Sequence, residues 1–432
     1  MIAPGRAIDR RQGSAPVVER LSNGVRIVID RMPWLESIAC GVWVNVGARD
    51  EVTGEEGIAH LIEHMAFKGA GERDARSIVN AIEDVGGWIN AETTHERTSF
   101  FIRGMSKDLG LALELLRDIV LRPRFDAGDL SVERNVVAQE ISEAGDDPED
   151  LAFDNLQEAL FDGSTLSKPI LGSMNAIKQQ TVAGLRAFHA DGYGPSQIVV
   201  SVAGGVEVDD ALSLASSAFS DASSDGRSRI REPATFKPGR RFVERDFDQA
   251  HLAIGIVGAA AGSPDAFAVK ALTEILGGGM SSRLFQELRE ERGLAYTVDA
   301  AMETYEDVGT VTIYAGVDVN DAREAVSRTI GVIESLARKV TDVELNRAKA
   351  VLTAGAVMAF EQPQSRVEFA ANRLIRNEEM VSLDHILSEI ESIDVLQVRR
   401  AAELAAAGGV AFAGVGRIGA RGILAALEKA IH

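Results

Sequence analysis

His60, Glu63 and His64 fall within one short run, His60-Leu61-Ile62-Glu63-His64. The surrounding residues, 54–69, read as one helix: Thr53 and Glu56 have the spacing of a capping box, and Gly69 is placed to end it. At 3.6 residues per turn, His60 and His64 stack one turn apart on one face. Two imidazoles so placed can grip a single zinc ion. Glu63 falls on a neighbouring part of that face, where its carboxylate can reach a metal-bound water and accept its proton as a carbonyl is attacked.

A hydrolytic zinc site needs a third protein ligand and one open position. The remaining histidines stand isolated in the sequence, so the third ligand is sought among carboxylates. Residues 129–143 read as a helix in which Glu133 and Glu140, seven apart, share a face. Val132, Val136, Val137 and Ile141 are expected to pack this helix, which makes inward-facing acids unusual. Glu140 is assigned as the third ligand, completing a Zn2+ set of His60, His64 and Glu140. Glu133 is assigned to the layer behind it, orienting a ligand or the water.

The elements that position these residues recur along the chain. Val46-Gly47-Ala48 ends a strand-like alternation in the first half and Val257-Gly258-Ala259 ends another in the second. A helical segment follows each, at 57–67 and 266–276, then a further pair at 78–83 and 284–289, then strand-like runs at 88–102 and 295–315. The constant offset, roughly 210 residues, points to duplication of one unit. Further helices are read at 109–120, 321–337 and 343–359. The fold class expected is α+β: two homologous α/β domains with mostly antiparallel sheets flanked by helices. The division is residues 1–220, an exposed linker at 221–241 carrying Pro233, Pro238 and several arginines, and residues 242–432.

Composition narrows the function classes. With 432 residues the chain exceeds what one core supports, and 46% apolar with 25% charged residues is ordinary for a globular protein. A net charge of −20 argues against nucleic acid and is compatible with basic peptides. No run approaches the roughly 20 apolar residues of a membrane span. Residues 1–17 hold Arg6, Arg10 and Arg11 but no apolar stretch of a secretory signal, so a polar tail and a cytoplasmic location are expected. The single cysteine, Cys40, lies in an apolar run and is expected in the core.

The run from His60 to Gly69, together with Glu-Arg-x-Val-Val-x-x-Glu at 133–140, resembles the pitrilysin/insulinase family of zinc peptidases, the inverzincins. The resemblance spans nearly the whole chain and is nearest to the catalytic β-subunit of mitochondrial processing peptidase and its small bacterial homologues. It implies zinc on His60, His64 and Glu140, with Glu63 as base and Glu133 in support. Asn90-Ala91-Glu92-Thr93 resembles the strand whose backbone pairs with an extended substrate, a sequence-tolerant mode of recognition. His95, just beyond, is expected at the surface. Arg292-Gly293-Leu294-Ala295-Tyr296 resembles the family's arginine–tyrosine pair, which steadies the developing oxyanion. Asp150 and Asp154 align with acids that recognise a basic residue ahead of the cleavage site. Large relatives enclose substrate with four such units, so a two-unit chain implies half of a clam-shell peptidase and a homodimer. In that assembly Arg292 and Tyr296 serve the zinc site of the same or of the facing chain. The substrates implied are unfolded peptides or presequence-like segments. The alternatives are a subunit active only with an inactive partner chain and a non-catalytic scaffold.

Overall fold

The computed structural model describes residues 15–223 and 230–428; the expected polar tail lies almost wholly outside them. Two sheets dominate. The first has six strands in the order Val17–Arg20, Arg26–Arg31, Ile198–Gly204, Ser37–Val44, Thr98–Met105 and Trp88–Thr93. The second has five, in the order Ala295–Thr304, Gly309–Asp318, Gln249–Val257, Ala411–Val415 and Arg240–Val243. Reversed, the first order matches the second strand for strand, with one extra edge strand. Each sheet is antiparallel except where its early strand meets its late one: Arg26–Arg31 beside Ile198–Gly204, and Arg240–Val243 beside Ala411–Val415. The repeat read from the sequence is therefore a repeat of topology.

Each sheet buries one face under its own helices. In the first half these include Leu109–Leu121, which buries Leu109, Leu113 and Leu116 on one stripe. In the second half they include Ala266–Gly277 and Ala322–Arg338. The opposite faces are covered by exchange. Helix Pro148–Phe161, from the first half, lays Ala152, Leu156 and Leu160 against Ala253, Ala411 and Ala413 of the second sheet. Helix Pro363–Ile375, from the second half, lays Val367, Ala370 and Ala371 against Val28, Val199 and Ala203 of the first.

The stretch expected as an exposed linker is exposed at Pro233 and Pro238 but is tied into the junction at Arg231. Arg231, with a side chain 11% exposed, donates from Nε and Nη2 to Asp50 at 2.9 and 2.8 Å, and to the Glu96 carbonyl at 2.7 Å. Its Nη1 meets Glu306 of the second half at 3.2 Å. Beside it, buried Arg49 forks onto Asp307 at 2.8 and 2.6 Å and reaches Glu96 at 2.6 Å. Composition read Arg231 as part of a solvated segment; buried Asp50 of the first half and exposed Glu306 of the second hold it instead. Cys40 is a buried free thiol, as expected.

Candidate metal centre

The metal helix is Ile58–Ala66, shorter at its start than expected. Gly57 adopts a positive φ of 85°, and no Thr53 cap forms. Glu51 does the capping: its buried carboxylate accepts from the Gly57 and Ala59 amides at 2.8 and 3.0 Å. Burial pushes that carboxyl up to about 8 against these two amide donors. Ile58, Leu61, Ile62 and Met65 are fully buried. At about 1.5–3 kcal/mol for each such side chain, this face fixes the helix's rotation. His60, Glu63 and His64 are thereby turned to the other side.

The second helix is Ala127–Asp146. Leu130, Glu133 and Val137 form its buried stripe, and the expected packing residue Val132 is instead 58% exposed. Glu140 lies one turn beyond Val137. Ligand atoms of His60, His64 and Glu140 lie within 4.8 Å of one another. Glu140 Oε2 is 3.5 Å from His64 Nε2 and 3.9 Å from His60 Nε2. Two ligands of one tetrahedral zinc, with bonds of about 2.0–2.1 Å, stand roughly 3.3–3.5 Å apart, close to these spacings. Glu140 Oε2 is also a buried oxygen with no hydrogen-bond partner, the kind of atom a cation satisfies. Burial, with His64 beside it, pushes His60 down to about 4, leaving a neutral imidazole. The residues fit a zinc ion with His60, His64 and Glu140 as ligands.

Behind the ligands, Glu133 is 2% exposed and lies 3.1 Å from His64 Nδ1. Lys68 Nζ closes on its other oxygen at 2.8 Å. Glu63 accepts a 2.5 Å hydrogen bond from Thr93 Oγ1, and burial raises its carboxyl above the ordinary range. Sequence reading gave the Lys68 and Thr93 side chains no role, Thr93 entering only as part of the strand expected to pair with substrate. For Lys68 the signal was its position four residues after His64, beneath the same face.

His60 and Glu63 line a cavity of 840 Å³ that both halves wall. Asp150 and Asp154 enter it from helix Pro148–Phe161, Glu303 from strand Ala295–Thr304 of the second sheet, and Tyr305 from just beyond that strand's end. Burial, and then Asp150, raise the Asp154 carboxyl to about 6. His95 also lines the cavity, half-buried rather than at the surface, with Nε2 3.1 Å from the Lys168 carbonyl. Asn90 and Ala91 sit on Trp88–Thr93, the free edge of the first sheet, whose last residues Glu92 and Thr93 run into the cavity. Arg292 and Tyr296 are not brought to this cavity within one chain. Arg292 pairs with Glu287 at 2.7 Å, and Tyr296 is 76% exposed near the start of strand Ala295–Thr304. The seven residues from Tyr296 to Glu303 at the cavity span about 23 Å of strand. Resemblance identified the pair by its local sequence, which carries no information about that distance.

Fold and site together define a half-peptidase architecture with one candidate metal centre among the described residues, and comparison with known proteins places its family. Residues 26–174 match the family model described as Insulinase (Peptidase family M16), and residues 181–352 match the Peptidase M16 inactive domain. An uncharacterized zinc protease of Mycobacterium tuberculosis is 36% identical over 394 residues, covering 90% of each chain. The uncharacterized zinc protease YmxG of Bacillus subtilis is 32% identical over 377 residues, covering 87% of this chain and 92% of its own. The chain belongs to the M16 peptidase family. A protease from Helicobacter pylori has the same fold, with a TM-score of 0.86 at 23% identity over 93% of this chain and all of its own. The "inactive domain" description suits the second half: among the described residues, the one group of three or more histidine, cysteine or acidic side chains close enough to hold a metal ion lies in the first half. No helix among the described residues is long and apolar enough to cross a membrane.

Proposed function

We propose that the chain is a zinc-dependent endopeptidase acting on unfolded or presequence-like peptides. The observation that carries the reading is the convergence of His60, His64 and Glu140 around one point, with Glu63 beside it in a cavity reached by the edge strand of the first sheet. Zinc, when bound there, supplies Lewis acidity toward a water and a peptide carbonyl. Glu63, fixed through one oxygen by Thr93, keeps the other oxygen to take the attacking water's proton and return it to the leaving amine. An extended peptide adds to the edge strand, where main-chain groups of Asn90 and Ala91 hold it without reading its sequence. Asp150 and Asp154 favour arginine near the scissile bond.

Arg292 and Tyr296 act as oxyanion donors from the facing chain of a homodimer. Their exposure and their distance along the strand from the chain's own cavity support action in trans. The test is cleavage of a fluorogenic arginine-containing peptide by purified protein, with chelator, with restored zinc, and beside Glu63→Gln. The expected result is activity that chelation abolishes, zinc restores and the variant lacks, with a loss of about 10²–10⁴ for the missing base. Activity that survives chelation, or a protein that takes up no zinc, refutes the reading.

A further inference from the structure

Lys68 lies two residues beyond the metal helix, with its ammonium 2.8 Å from Glu133 Oε1. The other oxygen, Oε2, faces His64 Nδ1 at 3.1 Å, and His64 Nε2 faces Glu140 at 3.5 Å. The four groups form one line running from a partly exposed lysine to the metal centre. Among the described residues, no other ammonium or guanidinium lies within 4.0 Å of Glu133. His64 presents a lone pair at Nε2 when its proton sits on Nδ1, and Glu133 accepts the hydrogen bond from that proton. A carboxylate so buried is costly to keep charged without a cation, and one held at a single oxygen is free to turn its other oxygen away.

We infer that Lys68 is a positioning residue for metal binding. Its ammonium anchors Glu133 through Oε1, so that Oε2 holds His64 in the Nδ1–H tautomer with Nε2 turned to the ligand site. The inference rests on the metal centre proposed above. A competing, purely structural role is also open to this side chain, because a cation near a helix C-terminus complements the helix dipole. That role does not pass through Glu133, and this difference makes the two separable.

The experiment measures zinc affinity of the full chain by competition with a chromophoric chelator. The proteins are wild type, Lys68→Met, Lys68→Gln, Lys68→Arg, Glu133→Gln and the double variant Lys68→Met/Glu133→Gln, with thermal unfolding of each zinc-free protein as a check on folding. Lys68→Met and Lys68→Gln weaken zinc about tenfold, the lower end for groups behind a ligand, while Lys68→Arg stays within about threefold. In the Glu133→Gln background, Lys68→Met causes no further loss beyond about twofold. Unchanged affinity in the folded Lys68 variants, or an equal loss with and without Glu133, overturns the inference and leaves the metal centre standing. A wild-type protein that binds no zinc overturns both.

Discussion

Replacing Arg231 by methionine removes the guanidinium that ties the segment between the halves to both of them, while keeping much of the side chain's volume. The lost contacts are the fork onto Asp50 at 2.9 and 2.8 Å, the bonds to the Asn45 and Glu96 carbonyls at 3.2 and 2.7 Å, and the link to Glu306 at 3.2 Å. Asp50 is buried and keeps the Gly47 amide at 2.9 Å as one donor. Removing one partner of a buried pair costs about 3–5 kcal/mol, and this retained bond favours the lower end. With a urea dependence of about 3 kcal/mol per molar for a chain of this size, the unfolding midpoint falls by about 1–1.5 M. Arg231→Lys keeps the charge but loses the fork and lies between the two. The assay is urea unfolding followed by circular dichroism and by tryptophan fluorescence, the tryptophans all lying in the first half. A midpoint within about 0.3 M of wild type would show that these bonds merely replace equally good ones to water, and would refute the junction as a clamp.

Thr93→Val removes the one hydroxyl that fixes Glu63 while preserving shape; kcat should fall about tenfold with zinc content unchanged, and an unaltered kcat would dismiss Thr93 as an aid to the base. Asp154 is held at about 6 by burial and Asp150, so its carboxylate is charged above that pH and neutral below it. Preference for an arginine peptide over its alanine counterpart should therefore rise as pH goes from 5 to 7, by about 10–100-fold at its limit, and Asp154→Asn should flatten the profile. A profile that the variant does not change would remove Asp154 from recognition. Co-refolding inactive Glu63→Gln with inactive Arg292→Ala should restore about a quarter of wild-type activity, because half the dimers are mixed and each carries one intact composite site. No recovery in a verified mixed dimer would place Arg292 in its own chain, and activity retained by Arg292→Ala alone would place it outside catalysis.

What was legible in the sequence was what a single helix encodes. The spacing of His60 and His64 becomes a shared face by helical geometry alone, and the interval between Glu133 and Glu140 does the same for the second helix. The repeat was legible because both units use the same order of local elements. What was hidden depends on partners far along the chain. Arg231 looks solvated among Pro233 and Pro238, yet its bonds run to Asn45, Asp50 and Glu96, 135 or more residues earlier. The true start of the metal helix was hidden because the capping group is the side chain of Glu51, outside the helix and six residues before Gly57. Glu303 and Tyr305 of the cavity could not be found from the first half's motifs at all, since the second half delivers them.

The exchange of helices explains why one chain's two halves make a single site. Helix Pro148–Phe161 follows directly on the helix that carries Glu140, and its apolar face is buried on the second sheet rather than the first. Asp150 and Asp154 are therefore positioned by contacts to the second half, whereas the ligands they adjoin are positioned by the first. Any shift of one sheet against the other would alter the distance from Asp150 and Asp154 to the candidate ligands. Helix Pro363–Ile375 opposes such a shift from the other side, where Arg366 holds buried Asp30 at 2.7 Å. The Arg49 and Arg231 pairs close the junction between them. With three separate locks across one junction, the two halves hold the cavity in one geometry within the chain.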